Sequence, residues 1–338
     1  MLNIFDGDAF GLVPLTDAIN KLKFVPGRIG AMGLFQETGV TTTTVAIEEK
    51  NGLLALIPPT GRGGPGTTFD KLKRTVRDFK IPHFEINDTF MAEEVQGVRA
   101  FGSETELETV QDKVMERMAE LSQSMEATCE YARIGAIKGV VTYANGAVFD
   151  LFDGFDVTQL AEVDFDLDNA NPDPGVLRQK CAAVIRSMSD ELDGTTFQGV
   201  HAFCGDAFFD ALLAHTEIRA SYLQTQQAAE LRSGYVANGM SYGSLSFGGI
   251  VWENYRGKVS GVPFVNTDKC HLFPVGVPSL FRTYFAPADY EATVNTMGRR
   301  LYATQFPMPN GKGRNFDVQM NALSLCTRPR ALIQGKRT

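Results

Sequence analysis

Hydrophobic and polar positions alternate with a helical period over one long stretch of the chain. From Ser103 to Lys138, apolar or small residues recur at Leu107, Val110, Val114, Met118, Leu121, Met125, Cys129 and Ala132. They stand about 3.6 residues apart, as one face of an α-helix requires. Ser103 and Glu106 make a capping box at the start. Arg133 and Lys138 lie toward the end that the helix dipole makes negative. The predicted rod is about 50 Å long at 1.5 Å per residue, where a mean globular helix has about 11–12 residues. A rod with one apolar stripe predicts a beam laid across a sheet.

Elsewhere the period changes. Leu15, Ile19 and Leu22 predict a short amphipathic helix that stops before Pro26, within a glycine-punctuated stretch (1–34) that reads as an arm with little to pack against in its own chain. Thr41 to Val45 with Ile47, the Asn51-Gly52 turn, and Leu53 to Ile57 predict a β-hairpin. The glycine-rich GRGGPG (61–66) and a basic run (70–80) follow. A lone hairpin is marginal in water, so this one is expected to lean on another surface. A second hairpin is predicted about Asn145-Gly146. The DFDLDNANPDPG stretch (164–175) reads as a polar linker. Asp173-Pro174 then reads as a helix start, with Leu177, Cys181, Val184, Ile185, Met188 and Leu192 on one face and Gly194 closing it. A strand at 197–204, helices at 206–214 and 217–232, and strands at 245–255, 262–266 and 271–275 make the middle third an α/β or α+β unit. Strands return at 279–287, 299–307 and 315–326. In the last, Phe316, Val318 and Met320 alternate with Asp317, Gln319 and Asn321, which predicts a half-buried strand.

Composition narrows the function classes. A chain of 338 residues with 43% hydrophobic and 21% charged residues is of ordinary globular type. A formal charge of −8 argues against the whole chain gripping nucleic acid. Five scattered cysteines, never spaced CxxC, suit a reducing compartment and offer neither a disulfide framework nor a zinc ribbon. No apolar run reaches 18 residues and MLNIFDGDAF is no signal peptide, so no membrane span is expected.

Candidate chemistry is thin. Gly239-Met240-Ser241-Tyr242-Gly243 matches a nucleophile elbow, but strand-like SLSFGGIVW follows the serine where the elbow needs a strand before it. A turn is the better reading. Asp164, Asp166 and Asp168 alternate like the first ligands of a calcium loop, yet Asn169 stands at the glycine position and Gly175 at the twelfth. His201, Cys204, Cys270 and His271 would ligate a metal only if the fold gathered them, and neighbours on a strand point to opposite faces. GRGGPG and GKGR (311–314) lack the phosphate-loop frame. No catalytic, cofactor or metal site is assigned, and that scarcity points to a structural role. One charge pattern stands out. Glu104, Glu108, Asp112, Glu116 and Glu120 form an acidic row at i, i+4 spacing along the helix. It reads as a solvated face, or as a surface met by Lys71, Lys73, Arg74, Arg77 and Lys80, more naturally those of a neighbouring subunit.

An arm, an extended hairpin loop, one long helix, an Asn-Gly hairpin, an inserted α/β unit and returning strands occur in that order. This α+β order resembles the Hong Kong 97-type capsid fold, and within it the lambda-type major capsid proteins of tailed phages, the phage capsid protein E family. The stretches that carry it are LKFVPGRIGAMGLF, the helix running into IKGVVTYANGAVFD, FCGDAFFDALLAHTEIRASY leading to SYGSLSFGGIVWENYRG, and GVPSLFRTYFAPADY, across roughly residues 20–330. The resemblance implies an arm at 1–34 and an extended loop at 35–82. It implies a peripheral domain at 83–178 and 281–338, with a spine helix at 103–138, and an axial α/β domain at 179–280. It further implies a non-enzymatic protein, without cofactor, whose first partner is itself, in the hexamers and pentamers of an icosahedral head shell. Such a shell encloses double-stranded DNA without reading its sequence, meets portal, scaffolding and decoration proteins, touches no membrane, and is assembled in the host cytoplasm into the virion. Some relatives crosslink from the extended loop; Lys50-Asn51 is ordinary turn chemistry, so no crosslink is expected here. An encapsulin-like nanocompartment shell is the alternative on the same fold. A cytosolic hydrolase using Ser241 is the alternative from another class.

Overall fold

A computed structural model of the chain describes residues 12–21, 27–50, 74–94, 110–169, 171–223, 243–259 and 262–338. The chain begins with helices α1 (Leu12–Lys21) and α2 (Arg28–Ala31) and strands β1 (Gln36–Gly39), β2 (Thr44–Lys50), β3 (Arg74–Lys80) and β4 (His83–Met91). The long helix α3 (Val110–Lys138) leads into β5 (Val140–Thr142), β6 (Val148–Asp150), α4 (Leu151–Gly154) and β7 (Val163–Asp164). Then come α5 (Val176–Glu191), β8 (Gly199–Cys204), α6 (Asp206–Ala214), α7 (Thr216–Leu223), β9 (Ser244–Phe247) and β10 (Ile250–Asn254). Strands β11 (Lys258–Val259), β12 (Val262–Pro263), β13 (Lys269–Val275), β14 (Phe281–Phe285), β15 (Tyr302–Pro307), β16 (Gly313–Cys326) and β17 (Ile333–Lys336) complete it.

Helix α3 is the beam that the hydrophobic period predicts. Its apolar stripe lies on a five-stranded sheet in which β1, β14, β16 and β15 are ordered side by side and β4 also pairs with β16. Val114, Met118, Met125 and Cys129 are almost wholly buried and meet Phe90, Phe316, Val318 and Met320. Such a side chain contributes about 1.5–3 kcal/mol on full burial. From Ala132 to Ile137 every residue is buried, because the end of the helix also meets a second sheet and hairpin β5–β6. At Gly135 a Cβ would stand 2.8 Å from the Cα of Val141, so only glycine lets β5 lie on the helix. Ser103, Glu106 and Leu107 fall outside the described residues.

The second sheet has six strands in the order β7-β17-β13-β8-β10-β9. Its two faces separate two cores by simple alternation. Val200, Ala202, Cys204, Trp252 and Leu272 share a core with Leu177, Cys181 and Phe208 of α5 and α6. Phe203 and Phe273 share the other with Ile134 and Ile137 of α3. Strand β17 pairs antiparallel with β13, from Lys269↔Lys336 to Leu272↔Ile333, and β7 pairs with β17.

Four expectations are revised. The partner of β2 is β3, with Lys50 opposite Arg74 and Thr44 opposite Lys80; Asn51-Gly52 and 53–57 lie outside the described residues. The strand pairing is set by Phe79, which is buried against Phe149 and Phe155. The acidic stretch from Asp164 is no plain linker. Its alternation is a β period: Phe165 is buried edge-on to Trp252 and Phe208, and Leu167 is buried beyond it. Helix α5 starts after Pro174, at Val176, behind a left-handed Gly175. Its orphan amides at Leu177 and Arg178 are served instead by the Glu217 carboxylate of α7, at 3.0 and 3.3 Å. Finally, α1 does pack on its own chain. Leu15 and Ile19 are buried in the core under α3, and Thr16 and Asn20 hydrogen-bond to Ala303 and Leu301.

Candidate functional site

The residues expected at an intersubunit surface fall on α3 and on the β2–β3 hairpin. Of the acidic row, Glu116 and Glu120 are exposed on α3, Asp112 is part of the same helix, and Glu104 and Glu108 lie outside the described residues. The row is partly answered within its own helix. Arg117 donates to Glu120 at 2.9 Å and to Asp88 of β4 at 2.5 Å. Of the basic set, Lys71 and Lys73 lie outside the described residues, Arg74 opens β3, and Lys80 is exposed at its end. Arg77 is half-buried and donates through Nη1 to the carbonyl of Gly154 at 3.3 Å. A groove of about 780 Å³ lies beside the hairpin base, lined among others by Ile47, Phe155, Tyr284, Arg282, Arg328 and Arg330. Arg328 and Arg330 pair with Asp193 and Glu191.

Two polar clamps hold the segment of residues 27–39. In the first, Arg28 grips Glu253 of β10 with two bonds of 2.6 and 2.7 Å. His201 of β8 reaches the same carboxylate at 3.0 Å. Burial by itself pushes the Glu253 carboxyl up, but His201 and Arg28 together hold it below its ordinary 4.5. The hydrogen bond to Glu253 raises Arg28 in turn. Beside this pair, Glu130 of α3 accepts from the amides of Ile29 (2.6 Å) and Gly30 (3.2 Å), and the Tyr255 hydroxyl donates to it at 3.4 Å. A Cβ at residue 27 would stand 2.4 Å from the Glu130 carboxyl carbon, which is why glycine is there.

In the second clamp, Arg133 of α3 donates to Glu37 of β1 at 2.5 Å and lies over the Phe35 ring at 5.6 Å. Arg300 spans Glu126 and Glu37, at 2.5 and 3.5 Å. Burial pushes the Glu126 carboxyl up, opposed by Arg300. The hydrophobic period does not reveal these residues, since a charge inside an apolar run reads as a solvated position. The signal was present as Glu126, Glu130 and Arg133, charges spaced four and three apart where the helix is otherwise apolar.

The remaining chemical candidates have structural partners. Asp164 pairs with Lys336 at 3.0 Å and accepts from the Asp166 amide. Cys270 and His271 face opposite sides of β13. Cys270 is in the core under α5, while burial, with Lys138 and Lys269 nearby, pushes His271 down to about 3. Cys181 and Cys326 are pushed up to about 12 by burial and Cys129 to about 11, which leaves their thiols unreactive at neutral pH. Among the described residues, no three His, Cys, Asp or Glu side chains are grouped to hold a metal, and no helix is long and apolar enough to cross a membrane. Ser241 lies outside the described residues.

A long helix laid across one five-stranded sheet, with a separate six-stranded sheet at its C-terminal end, is the Hong Kong 97-like capsid fold. A described prophage capsid protein from E. coli CFT073 superposes with a TM-score of 0.59 at 11% identity, covering 97% of this chain and 99% of that one. The mature capsid of bacteriophage PhiM1 gives 0.50 at 12% identity, over 100% and 92%. The model of the phage major capsid protein E family matches residues 11–337, and the chain belongs to that family. Two relatives named major capsid protein are similar along nearly their whole length. That of Pseudomonas phage KPP10 is 29% identical over 344 residues, 97% of each chain. That of Salmonella phage Felix O1 is 27% identical over 364 residues, 98% of each. The family is one of phage shell proteins, which places this chain with phage capsids and not with encapsulin-like compartments.

Proposed function

We propose that this chain builds the icosahedral head of a tailed phage around double-stranded DNA, as a major capsid protein without enzymatic activity. The family match over nearly the whole chain carries the reading. The physics supports it. A closed shell needs many modest, symmetric contacts rather than one tight one, and a hairpin loop that reaches a neighbour supplies contact area without enlarging the core. A net charge of −8 suits a container that holds DNA without gripping it. Arm (1–34), extended loop (35–82), peripheral domain (83–178 and 281–338) and axial domain (179–280) are the assignment we adopt. In it α5 crosses the 178/179 boundary, and β7 and β17 stitch peripheral segments to the axial sheet. Portal, scaffolding and decoration proteins complete the set of partners, with assembly in the host cytoplasm. Electron microscopy of the expressed chain should show closed shells; a uniform monomer under every assembly condition overturns the reading.

The contact proposed for α3 is with a neighbour's basic segment. Glu116 and Glu120 are exposed, and Lys71, Lys73 and Arg74 are the cations to meet the row, since Arg77 also serves its own Gly154. Arg74→Glu should weaken shell assembly, most at low salt, and leave the melting of the unassembled chain unchanged. Equal shell stability in the variant and across a salt series would leave α3 a solvated beam.

A further inference from the structure

The five cysteines are spread over three cores, and two of them meet. Cys129 lies under α3, and Cys326 in the core at the end of that helix. Cys181, Cys204 and Cys270 share the core between the six-stranded sheet and helices α5 and α6. Cys181 belongs to α5 and lies against the turn after β9, where a Cβ at Gly248 would stand 2.8 Å from its sulfur. Cys204 closes β8, Cys270 is the second residue of β13, and the two are direct partners in that antiparallel pair. They are 66 positions apart in the chain, so no local spacing announces the pair.

The ladder fixes their geometry. The Gly205 amide donates to the Lys269 carbonyl at 2.9 Å, so 205 and 269 are a hydrogen-bonded pair. Residues 204 and 270 therefore fall in the alternate row. The Cys204 carbonyl turns the other way and accepts from the Tyr255 amide at 2.9 Å. In that row, partner Cα atoms stand about 4.5 Å apart with their side chains on one face. That separation is inside the roughly 4.4–6.8 Å that a disulfide spans. Both side chains are wholly buried. On the far side of Cys270, Gly335 of β17 leaves space for its sulfur, since a Cβ there would stand 2.7 Å from it. The Cys204 thiol donates to the Ala202 carbonyl at 3.9 Å, a contact weak enough to yield.

We propose that Cys204 and Cys270 form a cross-strand disulfide when the chain meets a small oxidised disulfide, and that this bond braces β8 against β13. One cysteine thiolate attacks a sulfur of oxidised glutathione, forming a mixed disulfide and releasing one glutathione thiol. The other cysteine thiolate then attacks the protein sulfur of that mixed disulfide and releases the second glutathione. Two cysteine thiols are oxidised to one disulfide, one small disulfide is reduced to two thiols, and the two protons pass to the released thiols. Burial holds the Cys270 thiol well above its ordinary 9.0, so thiolate is scarce and the exchange is slow, proceeding through local opening of the core. On the phage reading, which the bond does not require, the chain passes from a reducing cell into an oxidising medium, and the bond follows that passage.

The bond is internal to one chain, so its test is independent of shell formation. Purified full chain is held with oxidised glutathione or with dithiothreitol, just below the onset of melting. After the oxidant, the denatured protein should have lost two of its five free thiols. A non-reduced digest should contain one linked peptide pair, joined through Cys204 and Cys270. The oxidised chain should melt higher by about 3 °C or more, because the bond closes a long loop of the unfolded state. Dithiothreitol should reverse the rise, and Cys270→Ala should show none. Five free thiols after the oxidant, or a linkage through Cys129, Cys181 or Cys326, overturns the proposal. A mapped bond with unchanged melting, or a rise that survives in Cys270→Ala, overturns the bracing. Where that variant does not fold, the peptide map and melting of the parent decide.

Discussion

Glu253 shows how much one side chain can hold. It is buried in β10 and binds both Arg28, from the N-terminal segment, and His201, from the neighbouring strand. Replacing one partner of a buried pair costs about 3–5 kcal/mol, because the other charge stays behind. Glu253→Gln should destabilise the chain by about 3 kcal/mol, measured by denaturant unfolding. The same carboxyl sits below its ordinary 4.5. Its contribution is therefore present above that value and is lost as pH falls through the folded one, so acid should unfold the parent and Glu253→Gln toward equal stability. Gly298 is a second sensitive position. A Cβ there would stand 1.9 Å from the carbonyl oxygen of Phe285, and Gly298→Ala should leave the chain largely insoluble on expression. Single residues of this kind were the least legible in the sequence. Arg28 and Glu253 are 225 positions apart, and no local pattern says that two distant charges will meet in a core.

At the scale of elements, sequence and structure agree wherever a period runs long enough. The stripe of α3 and the alternation in β16 both place the same residues in the core under the beam. Met118→Ala should therefore cost about 2–5 kcal/mol in an unfolding experiment, while Glu116→Ala, on the exposed face, should change stability by about 0.5 kcal/mol or less. Pairing was harder to read than identity. Strand β2 returns through β3, across residues 51–73, and no rule of turns points past a nearer apolar run at 53–57. The polar side of β16 was expected in solvent. It is covered by the loop of residues 286–290, which carries no pattern of its own.

Among the described residues, two large sheets are bridged by α3, with one core under the helix, one between its C-terminal end and the six-stranded sheet, and one on that sheet's far face. That order of parts was legible as a resemblance because it depends on the sequence of element types, which periods reveal. The small strands that cross it were not. β7 and β17 are two and four residues long, too short to show a period. Their position has a consequence in time. Strand β13 lies between β8 and β17, yet β17 is made 58 residues after Val275. At a translation rate of roughly 5–20 residues per second, β13 emerges with an open edge for roughly 3–12 s. An open edge is a template for pairing with another chain. On crowded polysomes, nascent chains would therefore pass through a brief window in which the wrong strand can take the seat of β17, and slowing elongation between the two strands should increase aggregate at the expense of folded protein.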